Sequence, residues 1–342
     1  MNIAINGFGR IGRQALHLIL ENHPDMNVVL INDPGDGATL AHLLEFDSNY
    51  GHYDCGATFK DGTLTVKGKK ITVTQTKDPA TLPHKELKVD IVLECTGKFC
   101  KREDAALHLK AGAKKVILSA PGKDEIDGTF VLGVNEGTYD PKKMSILSNA
   151  SCTTNSLAPV AKVLDESFGI AFGLMTTIHS YTNDQVILDV AHKDLRRARA
   201  AALNMIPTST GAAKAIGLVL PNLKGKMSGI SVRVPTPTVS ITDLTVTLKK
   251  KTTAEEINAA FEKAAAGPMK GILGVEKRAL VSMDFKKDSR SSIVDAPSTQ
   301  VIDDGSASLT TGTLAKVLAW YDNEWGYSCR LVELAEFVGK RL

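Results

Sequence analysis

Apolar positions fall into short runs in the first part of the chain and into longer alternating runs later. Asn2-Ile3-Ala4-Ile5-Asn6 is a short apolar strand, and Ala15, Leu16, Ile19 and Leu20 then recur at helical spacing between Arg13 and Glu21. Val28 to Ile31, Asp90 to Cys95 and Lys115 to Ser119 read as further strands, the last two separated by a helix around Arg102 to Ala111. Thr58 to Thr76 has the pattern of a hairpin, with Asp61-Gly62 and Gly68-Lys69 as turns. The strand Met144 to Leu147 gives way to a helix from about Thr153 to Ser167. Beyond Cys152 the strands lengthen: Gly173 to His179, Gly229 to Val234, and Val239 to Lys249 with clean alternation around Val246 and Leu248. Thr253 is a plausible N-cap for a helix over Ala254 to Ala266, with Glu255-Glu256 in its first turn. Gly326 to Arg341 carries Leu331, Leu334, Ala335 and Val338 on one helical face. Alternating strands and helices followed by a mainly antiparallel sheet with helices on one face predict an α/β unit followed by an α+β unit. The expected division is 1–151, joined by a C-terminal helix over 316–342, against 152–315.

Length and composition narrow the classes. A chain of 342 residues with 43% hydrophobic and 23% charged residues is expected to form two soluble globular domains. A net charge of +3 is too small to argue for a nucleic-acid or membrane partner, and runs such as Ile91-Val92-Leu93 are far short of a membrane span. The chain enters a strand at once, without the pattern of a signal or transit segment. Its five cysteines, Cys55, Cys95, Cys100, Cys152 and Cys329, are scattered and form no CxxC pair, which speaks against a disulfide framework or a zinc site and for a reducing cytoplasm.

Two segments carry the chemistry. Gly7-Phe8-Gly9-Arg10-Ile11-Gly12 lies between a strand and a helix, and Asp33 follows about 20 residues later, at the end of the next strand. Glycines there let the backbone approach a pyrophosphate at the helix N-terminus, and Asp33 either accepts the adenosine ribose hydroxyls or caps the turn at Pro34-Gly35. This context makes the first unit a Rossmann-type dinucleotide-binding domain, with a nicotinamide cofactor as the leading ligand. The strand ends Thr96-Gly97 and Ser119 to Gly122 line the expected crevice. The second segment is Ser148-Asn149-Ala150-Ser151-Cys152-Thr153-Thr154-Asn155, which sets a cysteine at a helix start, where N–H groups and the macrodipole favour a thiolate. A small buried cysteine behind an N-cap serine has the same pattern. His179, at a strand end, is either structural or the general base for such a thiol. The basic run Lys193 to Arg199 is either a solvated face or, with Thr182 and Arg233, a phosphate site. Thr208-Ser209-Thr210-Gly211 before the helix Ala212 to Leu220 is a second anion site by the same logic.

Six ordered segments then carry a family resemblance: Asn6 to Arg13, Ser148 to Asn155, His179 to Asp184, Asp194 to Ala200, Pro207 to Lys214, and Trp320 to Tyr327. Over essentially its whole length the chain resembles phosphorylating glyceraldehyde-3-phosphate dehydrogenase. The resemblance implies that Cys152 attacks the aldehyde, that His179 activates the thiol and takes the hydroxyl proton, and that hydride transfer to NAD leaves an acyl-thioester cut by inorganic phosphate. It assigns Thr182 and Arg233 to the substrate phosphate. Ser151, Thr153, Thr210 and Gly211 go to the attacking phosphate, with Arg197 nearby. Arg10, Ile11, Asp33, Lys77, Ser119 and Asn323 become cofactor contacts, with Asn323 holding the carboxamide. Glyceraldehyde 3-phosphate and inorganic phosphate are the implied partners, and the implied assembly is a homotetramer in which the loop after Asp184 reaches a neighbour's cofactor.

Three features depart from the family pattern. Ser156 stands where a second cysteine is common, which rules out a local disulfide. Val190-Ala191 replaces the usual Leu-Pro of NAD-specific members, and Pro34 replaces the common leucine after Asp33. Both changes surround the adenosine ribose, so the resemblance leaves NADP open beside NAD, although Asp33 would repel a 2′-phosphate. Ile302 to Thr313 is expected to be a long surface loop. The competing readings are the hydrolytic erythrose-4-phosphate dehydrogenases, the semialdehyde dehydrogenases, which lack the Trp320 to Tyr327 motif, and a non-catalytic binding role. The hydroxyl-glycine turn of Pro207 to Lys214 favours the phosphorolytic enzymes.

Overall fold

A computed structural model describes residues 1–302 and 311–342. It resolves two compact units: Met1–Phe130, Gly137–Ala150 and Ser328–Leu342 form one, and Val131–Glu136 with Ser151–Tyr327 form the other.

The first unit contains strands β1 (Asn2–Asn6), β2 (Asn27–Asn32), β3 (Phe46–Asp47), β4 (Gly51–His52), β5 (Thr58–Lys60), β6 (Thr63–Val66), β7 (Lys69–Thr74), β8 (Ile91–Glu94), β9 (Lys115–Leu118), β10 (Gly128–Thr129) and β11 (Ile146–Ser148). Its helices are α1 (Arg10–Asn22), α2 (Gly37–Glu45) and α3 (Arg102–Lys110). Nine strands make one sheet in the order β10-β11-β9-β8-β1-β2-β7-β6-β5, parallel from β10 through β7 and antiparallel across the last two pairs. The strands of a parallel sheet are covered on both faces, which is why β1 and β8 read as continuous apolar runs; Ile3, Ile5, Ile91, Val92 and Leu93 are all buried. Leu30, Val92, Val116 and Ala105 share one core cluster with Leu82 and Ile146. The hairpin over Thr58 to Thr76 joins this same sheet by its last strand. Its second turn is Lys67-Gly68, both with positive φ (47° and 74°), one residue ahead of the expected Gly68-Lys69.

The second unit holds α4 (Cys152–Phe168), β12 (Ile170–Ser180), β13 (Ile206–Ser209), α5 (Ala212–Val219), β14 (Met227–Val234), β15 (Ser240–Thr252), α6 (Ala254–Ala266), β16 (Leu273–Glu276), β17 (Ser292–Asp295), β18 (Gln300–Ile302) and β19 (Gly312–Tyr321). Its sheet runs β13-β14-β12-β15-β19-β17-β16, with β18 also on β19; only β12/β14 and β16/β17 are parallel. The architecture is therefore the α/β plus α+β combination that the pattern predicts. Helix α4 lies against β15, β17 and β19, packing Leu157, Ala161 and Leu164 on the face that bears Val246, Val317 and Ala319. Thr253 caps α6 in a full capping box with Glu256.

The expected helix over 316–342 is corrected. Residues through Tyr321 continue β19, where Ala315, Val317, Ala319 and Tyr321 are buried on alternate positions, and the helix is α7 (Trp325–Gly339), begun by the Asp322 carboxylate accepting from the Glu324 and Trp325 N–H groups. The long loop expected between Ile302 and Thr313 falls largely outside the described residues. At its described edges Ile302 ends β18, and Gly312 and Thr313 begin β19.

Candidate active site

In the first unit a crevice of about 360 Å³ opens at the carboxyl ends of β1, β2 and β8, where the strand order reverses. Gly7, Gly9, Asp33, Lys77 and Thr96 line it. Gly7 has φ 93°, and a Cβ there would lie 2.7 Å from the Thr96 nitrogen, so only glycine fits this close approach. A Cβ on Gly12 would collide with the Gly7 carbonyl oxygen, which makes Gly12 a packing glycine beneath the turn rather than part of the lining. Gly9 brings no capping side chain to α1, so this helix start is open to an anion. Asp33 accepts from the Phe8 N–H (2.8 Å) and the Gly35 N–H (2.8 Å), so its carboxylate both fastens the glycine turn and faces the crevice. Arg10 is paired with Asp47 (2.5 Å), and Ile11 stands half-buried in the first turn of α1. Ser119, at the end of β9, lies outside the crevice lining. The cradle and the carboxylate fit a dinucleotide.

Beneath this crevice runs a buried polar chain that the sequence reading did not find. His84 Nε2 lies 3.0 Å from His108 Nδ1, His108 Nε2 lies 3.1 Å from Glu94 Oε2, and Asn6 donates to the same oxygen (2.5 Å). The other Glu94 oxygen accepts from the Thr96 N–H (2.8 Å) and hydroxyl. Glu94 thus fixes the Thr96-Gly97 edge of the crevice.

In the second unit, Cys152 is the first residue of α4. Its neighbour Ser151 caps the helix by accepting from the Thr154 N–H (3.0 Å), and Ala150, two residues ahead of the cysteine, takes a left-handed φ of 54°. Cys152 Sγ lies 3.4 Å from His179 Nε2. His179 reaches it from β12, and Arg233 stands beside His179 because the two are register partners on the parallel strands β12 and β14, which puts both side chains on one face. The other ring nitrogen, Nδ1, is 2.6 Å from the Ser180 carbonyl oxygen and 2.7 Å from Arg233 Nη1. Tyr321, from β19, presents its ring edge-on to His179 and bonds the hydroxyls of Thr153 (2.9 Å) and Thr177 (2.7 Å).

Burial governs the charge state here. It pushes the Cys152 thiol up, against the opposing pull of the Arg233 guanidinium and of the Thr153 hydroxyl and nearby N–H groups. It pushes His179 down to about 3, with Arg233 acting in the same direction and the Ser180 carbonyl opposing. Burial thus opposes, at both members of the pair, the charged forms that a solvated helix start favours.

The hydroxyls and cations expected to hold phosphate fall into subsets. Thr182, Asp184 and Arg197 form one cluster: Arg197 donates to the Asp184 carboxylate, to the Thr208 hydroxyl (2.8 Å) and to the Ser209 carbonyl (3.3 Å), so its guanidinium braces the loop. Thr210 and Gly211 stand at the start of α5, where the Thr210 hydroxyl accepts from the Ala212 N–H (3.2 Å). Asn323 is buried and accepts from the Ser240 hydroxyl (3.0 Å). Tyr321 and Ser180 are the functional neighbours that the sequence reading left without a role. Period-two alternation along β19 is the signal that places Tyr321 on the inner face, whereas Ser180 is out of phase with the buried positions of β12 and is buried at the strand's end.

The model of the glyceraldehyde 3-phosphate dehydrogenase NAD binding domain matches residues 1–102, and that of the C-terminal domain of the same enzyme matches residues 151–323. The glyceraldehyde-3-phosphate dehydrogenase of Geobacillus stearothermophilus is 56% identical over 341 residues, covering 100% of this chain and 99% of the relative. Glyceraldehyde-3-phosphate dehydrogenase 1 of Bacillus subtilis is 54% identical over 341 residues at the same coverage. The chloroplastic glyceraldehyde-3-phosphate dehydrogenase A of Chlamydomonas reinhardtii is 53% identical over 343 residues, covering 100% of this chain and 89% of the relative.

Proposed function

The chain belongs to the glyceraldehyde-3-phosphate dehydrogenase family, and from that premise we propose that Cys152 and His179 oxidise glyceraldehyde 3-phosphate and pass its acyl group to inorganic phosphate. The activity is NAD-dependent, and NAD when bound supplies the hydride acceptor. The observation that carries the assignment of residues is the 3.4 Å approach of the thiol to an imidazole nitrogen at a helix start. Sγ attacks the aldehyde carbon while its proton moves to His179 Nε2 and from there to the aldehyde oxygen, giving a thiohemiacetal and a neutral imidazole. His179 then takes the hydroxyl proton as the carbon is oxidised to the acyl-thioester. Oxygen of inorganic phosphate attacks the thioester carbonyl, the C–S bond breaks, and 1,3-bisphosphoglycerate leaves with Cys152 regenerated.

Arg233 and Thr182 are assigned to the substrate phosphate, and Ser151, Thr153, Thr210 and Gly211 to the attacking phosphate. Asn323 is assigned to the nicotinamide carboxamide. Asp33 favours NAD over NADP, since its carboxylate faces the crevice with no arginine in the lining among the described residues. Cys152→Ser removes the nucleophile and is expected to reduce NADH formation by about three orders of magnitude or more while leaving NAD binding intact. Retained turnover refutes the assignment. Strict dependence of turnover on inorganic phosphate separates this reading from a hydrolytic erythrose-4-phosphate dehydrogenase.

A homotetramer is the proposed assembly. Phe172, Leu174 and Leu314 are exposed on the outer face of the second sheet beside a groove of about 630 Å³, and Ile187, Leu188, Leu195, Leu203 and Met205 are exposed in the segment after Asp184. So much exposed apolar surface supports self-association. No helix among the described residues is long and apolar enough to cross a membrane. The five cysteines are unpaired, and a catalytic thiol needs a reducing setting, so we place the protein in the cytoplasm.

A further inference from the structure

We propose that Gln185 is a positioning residue for the substrate phosphate: its side-chain oxygen holds Thr182 where the Thr182 hydroxyl can donate to a phosphate oxygen. The inference rests on the assignment of Thr182 to the substrate phosphate, and Gln185 acts through Thr182.

The turn from Thr182 to Gln185 is closed from both ends. The Gln185 N–H donates to the Thr182 carbonyl oxygen (2.9 Å), and the Thr182 N–H donates back to Gln185 Oε1 (2.9 Å). A backbone N–H only donates, so the side-chain atom facing it is the amide oxygen, and the amide nitrogen lies on the other side. There Gln185 Nε2 faces Asp184 Oδ2 at 3.4 Å, the carboxylate oxygen that also accepts from Arg197. Both ends of the amide therefore agree on one orientation. Gln185 is only 7% exposed, whereas Ile187 and Leu188 just beyond it are exposed. Glutamine is ordinarily a solvated residue, and burying one with its oxygen and nitrogen both matched fixes the local geometry.

The Thr182 hydroxyl is held more lightly than the Thr182 N–H. Its oxygen lies 3.3 Å from Gln185 Oε1 and 3.4 Å from the Asp184 nitrogen, both long for hydrogen bonds. The shorter N–H bond carries the orientation of Thr182 and leaves the hydroxyl hydrogen available. A phosphate oxygen competes well for that hydrogen, because a charge-assisted hydrogen bond is roughly twice as strong as a neutral one. Turning the hydrogen from Oε1 to a phosphate takes rotation about the Cβ–Oγ bond alone, with no change of side-chain rotamer or backbone. Binding then has little left to order, which preserves affinity. The same amide joins Thr182 to the Asp184–Arg197 brace, and Arg197 continues it to the Thr208 hydroxyl (2.8 Å).

The test compares glyceraldehyde 3-phosphate with D-glyceraldehyde, which presents the same aldehyde without the phosphate. The ratio of their kcat/KM values reads phosphate recognition and cancels effects common to both substrates. Gln185→Met keeps the side-chain volume and removes both polar ends. It is expected to lower the ratio roughly tenfold, with the loss in KM for glyceraldehyde 3-phosphate rather than in kcat. Thr182→Val is expected to lower the ratio at least as much, and the double variant no further than Thr182→Val alone. If Thr182→Val lowers the ratio and Gln185→Met does not, or Gln185→Met slows both substrates equally, the proposal fails and the assignment of Thr182 stands. Full additivity in the double variant overturns the proposal as well, because Gln185 would then act elsewhere. If Thr182→Val leaves the ratio unchanged, the assignment fails and takes the proposal with it. Gln185→Ala, which admits water beside the Thr182 N–H, decides the same comparison if Gln185→Met does not fold.

Discussion

His84 gives a pH dependence whose size follows from its surroundings. It is fully buried, and its Nε2–H points at His108 Nδ1, which accepts because His108 Nε2–H serves the Glu94 carboxylate. The remaining His84 nitrogen, Nδ1, is buried with no partner among the described residues, so a proton placed there has nothing to bind. Burial, reinforced by the neighbouring His108, lowers His84 to about 4. The unfolded chain, with a histidine near 6.5, takes up the proton first. The stability contributed by this group is therefore whole above about pH 6.5 and is lost as the pH falls toward 4. The separation is worth about 3 kcal/mol in full, of which about 2 kcal/mol falls between pH 7 and pH 5. Urea unfolding followed by far-UV circular dichroism, at one subunit concentration and at both pH values, measures it. The wild type is expected to lose about 2 kcal/mol more than His84→Gln over that interval. Equal losses would refute the reasoning, and so would a wild type that gains stability on acidification. NAD affinity offers a second readout, because Glu94 holds Thr96 at the crevice edge.

Three further outcomes are expected. Tyr321→Phe leaves the buried hydroxyls of Thr153 and Thr177 without their shared partner and is expected to cost about 2 kcal/mol of stability, read from denaturant midpoints; a change below about 0.5 kcal/mol contradicts the network. Gly12→Ala drives a Cβ into the Gly7 carbonyl and is expected to weaken NAD binding by roughly tenfold or more in calorimetry, with unchanged affinity counting against the tight turn. Asp33→Ala removes the acceptor for the Phe8 and Gly35 N–H groups; kcat/KM with NAD should fall and the NADP to NAD ratio should rise, whereas a constant ratio would show that Asp33 does not select the cofactor.

Features that are local in sequence were readable from it. The glycine turn and Asp33 fall within two successive strands, and the Phe8 N–H to Asp33 bond joins them as the spacing implies. The Thr253 capping box needs only four consecutive residues. Relations set by strand register were not readable. His179 and Arg233 meet because β12 and β14 pair in parallel with those residues opposite, and periodicity on each strand is silent about that offset. Resemblance to a family supplied both residues without the contact between them. The strand that carries Tyr321 is legible, since Ala315, Val317 and Ala319 alternate up to it and helical spacing begins only at Trp325. The burial that opposes charge at Cys152 and His179 was hidden for another reason. A helix start is visible in sequence, whereas the burial that opposes its dipole belongs to the packed sheet face.

The proposed chemistry requires an acyl group to wait on Cys152 until phosphate arrives. Saturating NAD and glyceraldehyde 3-phosphate, mixed with enzyme in phosphate-free buffer, should give a burst of about one NADH per subunit and then stall. Mass spectrometry of the stalled protein should find the 3-phosphoglyceroyl group on the peptide bearing Cys152, and added inorganic phosphate should discharge it and restart turnover. Sustained NADH production without phosphate, or a stalled enzyme with Cys152 unmodified, would contradict the mechanism.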